Sequence, residues 1–201
     1  MKRAVLATRN PRKLKELQRL TRGLKIRWLT LTQFPSLPPI EEDGQTFAAN
    51  ARKKALAVAR ATGLVTVADD SGLEVDALGG APGVRSARYA GSRATDAANN
   101  RKLLRALRHV PWAKRRAQFR CCIAVATPDG TVATVEGRAQ GVVADRPRGR
   151  RGFGYDPLFV IPRYGRTFAE LGPRIKDRRS HRAHALHRAR PLIRRALLSG
   201  S

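Results

Sequence analysis

Residues 67–83 read VADDSGLEVDALGGAPG, and the reading of this stretch decides the fold. The run Leu64-Val65-Thr66-Val67-Ala68 has the length and β-branched content of a short buried strand. The strand is expected to end at Asp69 and to deliver Asp69 and Asp70 into a Ser71-Gly72 turn. Paired carboxylates at a strand end suit a divalent cation, or a base acting on water. A second turn, Gly79-Gly80-Ala81-Pro82-Gly83, follows.

Toward the N-terminus, Lys2–Thr8 reads as a strand that runs into Asn10-Pro11. Pro11 opens a helix to about Thr21, with Leu14, Leu17 and Leu20 at helical spacing and Gly23 behind it. Lys25–Leu31 reads as a second strand, Gln33–Ile40 as a proline-rich loop, and Glu41-Glu42-Asp43-Gly44 as an acidic turn. Thr46 caps a helix that runs to Thr62 and stops at Gly63. The order β-α-β-α-β predicts an α/β sheet. Further on, Thr95-Asp96 caps a helix to about His109. Ala117–Thr127 and Thr131–Val143 form strands joined by a turn at Pro128-Asp129-Gly130. A loop at Asp145–Gly154, a strand at Leu158–Ile161 and a short helical turn at Thr167–Leu171 come next. Ser180 caps a last helix that Pro191 is expected to break or bend.

The chain has 201 residues, 42% of them hydrophobic, which suits one globular domain with a real core. No linker divides it cleanly. No stretch is apolar enough to span a bilayer, and the apolar part of the N-terminus is too short for a signal peptide. A cytoplasmic protein is the expectation. Cys121 and Cys122 are adjacent, so a bond between them would be strained. They read as small buried apolar residues. The formal net charge of +26 attracts polyanions, but the arginines are scattered along the whole chain. Weak, salt-sensitive adhesion to nucleic acid follows, and most of this charge reads as solvated surface.

Four segments carry chemistry. Thr8-Arg9-Asn10-Pro11-Arg12-Lys13 spans a strand-to-helix junction, where backbone N–H groups and the helix dipole favour phosphate. Taken alone it is equally a simple helix cap. The Glu41–Gly44 turn is a candidate metal ligand in a basic chain, though such turns are commonly solvated loops. The Asp69-Asp70 pair is the third segment. The fourth is split between Gly152-Phe153-Gly154-Tyr155-Asp156-Pro157 and Lys176…Ser180-His181-Arg182. There the aromatic rings suit a flat base, and the basic groups lie ahead of or at a helix start. The alternative is a tight turn with two core aromatics.

Together these segments resemble the inosine triphosphate pyrophosphatase, or Ham1-type, family, and more narrowly its bacterial dITP/XTP pyrophosphatase branch. The matching residues are Thr8-x-Asn10-x-x-Lys13, Glu41-Glu42-x-Gly44-x-Thr46-Phe47 with Asn50-Ala51, and Ala68-Asp69-Asp70-Ser71-Gly72-Leu73. Gly79–Gly83, Ser86-Ala87-Arg88-Tyr89, Gly152–Pro157 and Lys176…Ser180-His181-Arg182-Ala183 complete the set. Arg150, Arg151, Arg174, Ile175, Arg178 and Arg179 depart from the pattern, and the arginines add positive charge.

The resemblance implies an elongated two-lobed α/β fold, with a long twisted mixed sheet flanked by helices and a cleft between the lobes. It implies a homodimer and Mg²⁺-dependent cleavage of ITP, dITP and XTP to monophosphate and pyrophosphate. It makes Asp69 the base that activates water and a metal ligand, with Glu41 the second ligand and Glu42 close behind. It gives Lys13 the triphosphate, lined by Thr8, Arg9, Asn10, Pro11 and Arg12, and gives Asp70 or Ser71 the ordering of substrate. The base pocket would use Phe153, with Gly154 and Tyr155 beside it, and polar contacts from Asp156, Lys176, His181 and Arg182. A donor such as Arg182 or His181, aimed at the 6-oxo group, would reject adenine. Two other classes compete. A nucleic-acid-binding protein without hydrolase activity does not explain why scarce acids gather at Glu41, Glu42, Asp69 and Asp70, and the chain offers no basic strand studded with aromatics. The other is a pyrophosphatase acting on modified pyrimidines.

Overall fold

The computed structural model describes residues 1–199. Lys2–Leu6 (β1), Pro11–Leu20 (α1), Ile26–Thr30 (β2), Phe47–Thr62 (α2) and Thr66–Val75 (β3) realise the opening β-α-β-α-β. Asp96–Ala106 (α3), Arg116–Ala126 (β4) and Val132–Val143 (β5) follow. Phe159–Ile161 (β6), Arg166–Thr167 (β7), Phe168–Arg179 (α4) and His181–Ser199 (α5) complete the described chain. One mixed sheet holds the strands in the order β2-β1-β3-β4-β5-β6-β7. β1 runs parallel to β2 and β3, while β6 runs antiparallel to β5 and β7. This is the α/β class that the sequence implies.

Caps set the helix ends as expected. Asn10 Oδ1 accepts from the N–H groups of Arg12 (3.0 Å) and Lys13 (3.3 Å). Thr46 Oγ1 accepts from Ala49 N–H at 3.0 Å, and Gly63 closes α2. Leu6 lies opposite Val67, and Ala7 N–H donates to the Val67 carbonyl at 2.8 Å. Carried forward, that register brings Thr8 level with Asp69. The turn into α1 therefore leaves the sheet beside the acid pair.

The chain divides into two compact units. The first comprises Met1–Asp70, Cys121–Gly137 and the chain from Arg182 onward. Its core includes Leu6, Leu17, Val67, Ile123, Leu186 and Ile193. The second comprises Ser71–Arg120 and Arg138–His181, around Leu73, Leu103, Phe119, Phe159 and Phe168. Phe119 and Phe159 have ring centroids 4.5 Å apart, and Phe159 and Phe168 5.5 Å. Cys121 and Cys122 are buried and unbridged. Among the described residues, no helix is long and apolar enough to cross a membrane.

Three expectations are corrected. Ser71-Gly72 is not a turn, because β3 continues through it to Val75. Leu73 and Val75 are fully buried, and Ser86 Oγ accepts from Leu73 N–H at 2.9 Å, so packing holds the backbone extended. The acid pair therefore sits within a strand, with its two side chains on opposite faces. The turn falls at Gly79–Gly83, with Gly79 at φ 59° and Gly80 at φ 87°. Second, the helical turn expected at Thr167–Leu171 is the start of the longer α4. A capping box of Thr167 and Glu170 opens it, Gly172 (φ 73°) kinks it, and Pro173 lies in the piece beyond the kink. Third, α5 runs unbroken through Pro191. Ala185, Leu186, Ala189, Ile193 and Leu197 are buried on either side of the proline, so tertiary packing holds the helix across the lost hydrogen bond.

Candidate active site

In the first unit Asp69 is 1% exposed and meets two cations through one oxygen. Its Oδ2 lies 3.3 Å from Lys13 Nζ and accepts from Arg182 Nε at 3.2 Å. Its backbone carbonyl accepts from Lys54 Nζ at 2.5 Å. Its Oδ1 is buried and has no hydrogen-bond partner among the described residues. Burial alone pushes this carboxyl up, but Lys13, Arg182 and Lys54 outweigh it and hold the group well below the ordinary carboxylate range. A carboxylate held that low is a strong ligand and acceptor but a weak base.

Asp70 is buried on the other face of β3. Its Oδ2 accepts from Asn50 Nδ2 at 2.9 Å. Burial, with Glu42 adding to it, keeps the Asp70 carboxyl above its ordinary value against the pull of Lys13 and Lys54. Asn50 also grips the acidic turn: its Oδ1 accepts from Gly44 N–H at 2.7 Å, and its Nδ2 donates to Gly44 O at 3.4 Å. A Cβ on Gly44 would lie 2.7 Å from Asn50 Oδ1. Glu42 Oε1 accepts from Lys54 Nζ at 2.5 Å, whereas Glu41 is exposed. Burial works against the charge of Lys54, but Asp69, Glu42 and Asp70 raise its affinity for the proton above the ordinary value. Thr8, Arg9, Ile40, Glu42 and Lys54 help to line a cavity of about 140 Å³, room for a few waters.

The Thr8–Lys13 segment is a working cap. Thr8 Oγ1 accepts from Asn10 N–H at 3.2 Å, and Arg9 Nη2 donates to the Leu37 carbonyl at 2.6 Å. Pro11 begins α1 and Arg12 is exposed. The Asn10 side chain already takes the N–H groups that a phosphate would use. The cations here for an anion are Arg12, which is exposed, and Lys13, which reaches in to Asp69.

The structure places Arg182 beside Asp69 in the first unit. It is 1% exposed and donates from Nη1 to Glu16 Oε2 at 2.5 Å as well as to Asp69. Glu16 and Lys13 stand three residues apart on α1, so one helix face serves both charges.

The remaining residues lie in the second unit. Asp156 is 1% exposed, and its Oδ2 accepts from Phe153 N–H at 2.8 Å and from Lys176 Nζ at 2.6 Å. Lys176 Nζ lies 4.4 Å from the centre of the Phe153 ring. Gly152 (φ 80°) makes room for this, since a Cβ there would fall 2.1 Å from Asp156 Oδ2. Gly154 N–H donates to Asp96 Oδ2 at 2.9 Å, and Asn100 Nδ2 donates to Gly154 O at 3.1 Å. Lys176 lies in the last turns of α4, not ahead of a helix, so a salt bridge rather than a helix dipole sets its place. Tyr155 is core: it is 4% exposed, and its hydroxyl donates to Ser86 O at 2.9 Å. His181 is buried and stacks on Phe119 at 4.6 Å.

Sequence reasoning missed Glu16, Lys54, Asp96 and Asn100, and used Asn50 only as part of a match. A signal existed on α2. Asn50 and Lys54 are four apart, on the face that buries Ala51, Ala55, Val58 and Ala59. Polar side chains there need partners. Nothing local announces Glu16, whose partner lies 166 residues away.

The Ham1 family model matches residues 4–192. A dITP/XTP pyrophosphatase of Desulforamulus reducens is 52% identical over 95% of each chain. One of Geobacter sulfurreducens is 53% identical over 92% of this chain and 94% of its own. The solved structure of a HAM1 protein from Coxiella burnetii has a TM-score of 0.88 at 45% identity, over 97% of this chain and 100% of that one. That of a nucleoside-triphosphatase / dITP/XTP pyrophosphatase from Mycobacterium abscessus scores 0.77 at 44% identity, over 95% and 99%.

Proposed function

This chain belongs to the Ham1 family, and from that premise we propose that it hydrolyses deaminated purine nucleoside triphosphates, ITP, dITP and XTP among them, to the monophosphate and pyrophosphate. The observation that carries this reading is the bare Oδ1 of Asp69, on a carboxylate whose Oδ2 is held by Lys13 and Arg182.

In the reaction a water oxygen bonds to the α-phosphorus. The bond from that phosphorus to the bridging oxygen breaks, and pyrophosphate leaves with the electron pair. Charge develops on the phosphoryl oxygens, so positioned cations carry most of the catalysis. Lys13 holds the phosphates, with Arg12 exposed beside it. Asp69 is too weak a base to deprotonate water in advance. It orients groups through Oδ1, and the water's proton passes late to a phosphate oxygen and on to solvent, which a loose transition state tolerates.

Magnesium fits the donor set. Among the described residues no three His, Cys, Asp or Glu gather to hold a metal. That suits a cation that takes one or two carboxylates and completes its shell with water and phosphate. Asp69 Oδ1 is one ligand atom. Glu41 is the better second, since it is exposed while Glu42 is held by Lys54. When bound, the ion neutralises the phosphate oxygens and makes the phosphorus more electrophilic.

Base recognition falls to the second unit. The base stacks on Phe153, whose loop Asp156 and Lys176 hold in place, and a donor at the pocket edge meets the 6-oxo group. Adenine presents an amine there and leaves a buried donor unsatisfied. The homodimer and the cytoplasmic location belong to this proposal. Sedimentation of the purified chain tests the first and cell fractionation the second. The deciding assay is pyrophosphate release from ITP, XTP, dUTP and ATP with and without Mg²⁺. Release from ITP and XTP that needs Mg²⁺ supports the reading, and an inert protein or a preference for dUTP overturns it.

A further inference from the structure

Trp112 in the second unit is 51% exposed; the other large exposed hydrophobics among the described residues are Met1 and Leu198. The indole is held on a fixed turn. Arg115 N–H donates to the Trp112 carbonyl at 3.0 Å, and Lys114 N–H to the Pro111 carbonyl at 2.9 Å. The Arg115 guanidinium ties down both ends of the preceding turn, donating to Leu107 O and Val110 O, each at 2.9 Å. Its backbone carbonyl accepts from Val143 N–H at 2.9 Å, which fastens the turn to β5.

The local sequence is one-sided in charge. The chain has no acidic residue between Asp96 and Asp129. Arg108, Lys114 and Arg116 flank Trp112 in sequence and are exposed. Arg101 and Arg105, four apart on α3, are exposed as well. Exposed cations thus flank the ring on both sides along the chain.

We propose that this surface binds single-stranded nucleic acid, with an unpaired base stacked on Trp112 and the phosphates met by the surrounding arginines and lysine. A preset stacking platform in a basic field is the chemistry that holds a single strand without reading its sequence. A membrane is a poorer match, because Trp112 is flanked by Pro111 and Ala113 and offers little apolar area to insert.

The test uses the full chain and an oligo(dT) of about 20 nucleotides, followed by tryptophan fluorescence at low salt. Binding quenches Trp112, while the half-buried Trp28 serves as the internal reference. Trp112→Ala is expected to weaken oligo(dT) binding about tenfold and to leave duplex binding unchanged, because paired bases cannot stack on it. Lys114→Ala with Arg116→Ala is expected to lower the slope of log affinity against log salt by about one. Neither change touches pyrophosphate release from ITP. Unchanged oligo(dT) affinity in Trp112→Ala overturns the proposal. So does a loss confined to phosphatidylserine vesicles, or a fall in sedimenting mass with oligo(dT) binding intact.

Discussion

Glu16 Oε2 accepts from Arg182 Nη1 at 2.5 Å, and Arg182 Nε donates in turn to Asp69 Oδ2. Acid, base and acid thus alternate through a buried chain of side chains, with Lys13 as the fourth member. Glu16 touches no reacting atom. It fixes the arginine that fixes the carboxylate, and it offsets a charge that would otherwise bear wholly on Asp69. Glu16→Gln is expected to lower kcat about a hundredfold with little change in KM, since small misplacements at a reacting centre cost that much. Removing one partner of a buried pair also costs about 3 kcal/mol of stability, visible in thermal unfolding. An unchanged kcat would show that Arg182 needs no such support.

Asp69→Asn is expected to abolish turnover while nucleotide binding survives, measured by equilibrium binding of ITP. Parallel loss of both would assign Asp69 a structural role. The substitution also tests linkage. The native Asp69 carboxyl titrates below its unfolded value, so its contribution to stability is present above about pH 4 and fades as pH falls through the lower native value. Acid unfolding of Asp69→Asn should therefore depend less steeply on pH in that range.

The two neighbouring glutamates should separate cleanly. Glu41→Gln is expected to raise the magnesium concentration for half-maximal rate by about tenfold or more, with the melting temperature unchanged. Glu42→Gln frees Lys54 and should lower the melting temperature first. A magnesium titration and a thermal melt on both variants decide it. Reversal of the two phenotypes would make Glu42 the ligand.

Asp156→Asn and Lys176→Met each break a buried pair at 2.6 Å. Both should erode discrimination between ITP and ATP by about a hundredfold or more in kcat/KM, mostly through ITP. Gly152→Ala should mimic them, because its methyl group meets Asp156 Oδ2. Specificity that stays intact in all three would move base recognition elsewhere.

Local chemistry made much of this legible in the sequence. Thr46 and Gly63 bound α2 where their capping chemistry says they should, and so do Asn10 and Pro11 at α1. The turn assigned to Ser71-Gly72 failed because Ser86, Leu73 and Val75 keep β3 extended from outside the local window. The partners of Arg182 were hidden for the same kind of reason. Its motif position marks it as important, but only the fold shows that it faces Asp69 and Glu16. Lys54 and Asn50 sit on a buried face whose partners come from other segments.

Asn50 holds Gly44 by both its N–H and its carbonyl, so α2 supplies the anchorage of the acidic turn. The proline-rich run from Gln33 to Ile40 is thereby relieved of much of that duty. Apart from Leu37 and Ile40, which meet Arg9 and line the cavity, exchanges in that run should cost less than the loss of Asn50. A single amide exchanged on the helix would instead leave the turn tethered by the Lys53–Asp43 and Lys54–Glu42 ion pairs.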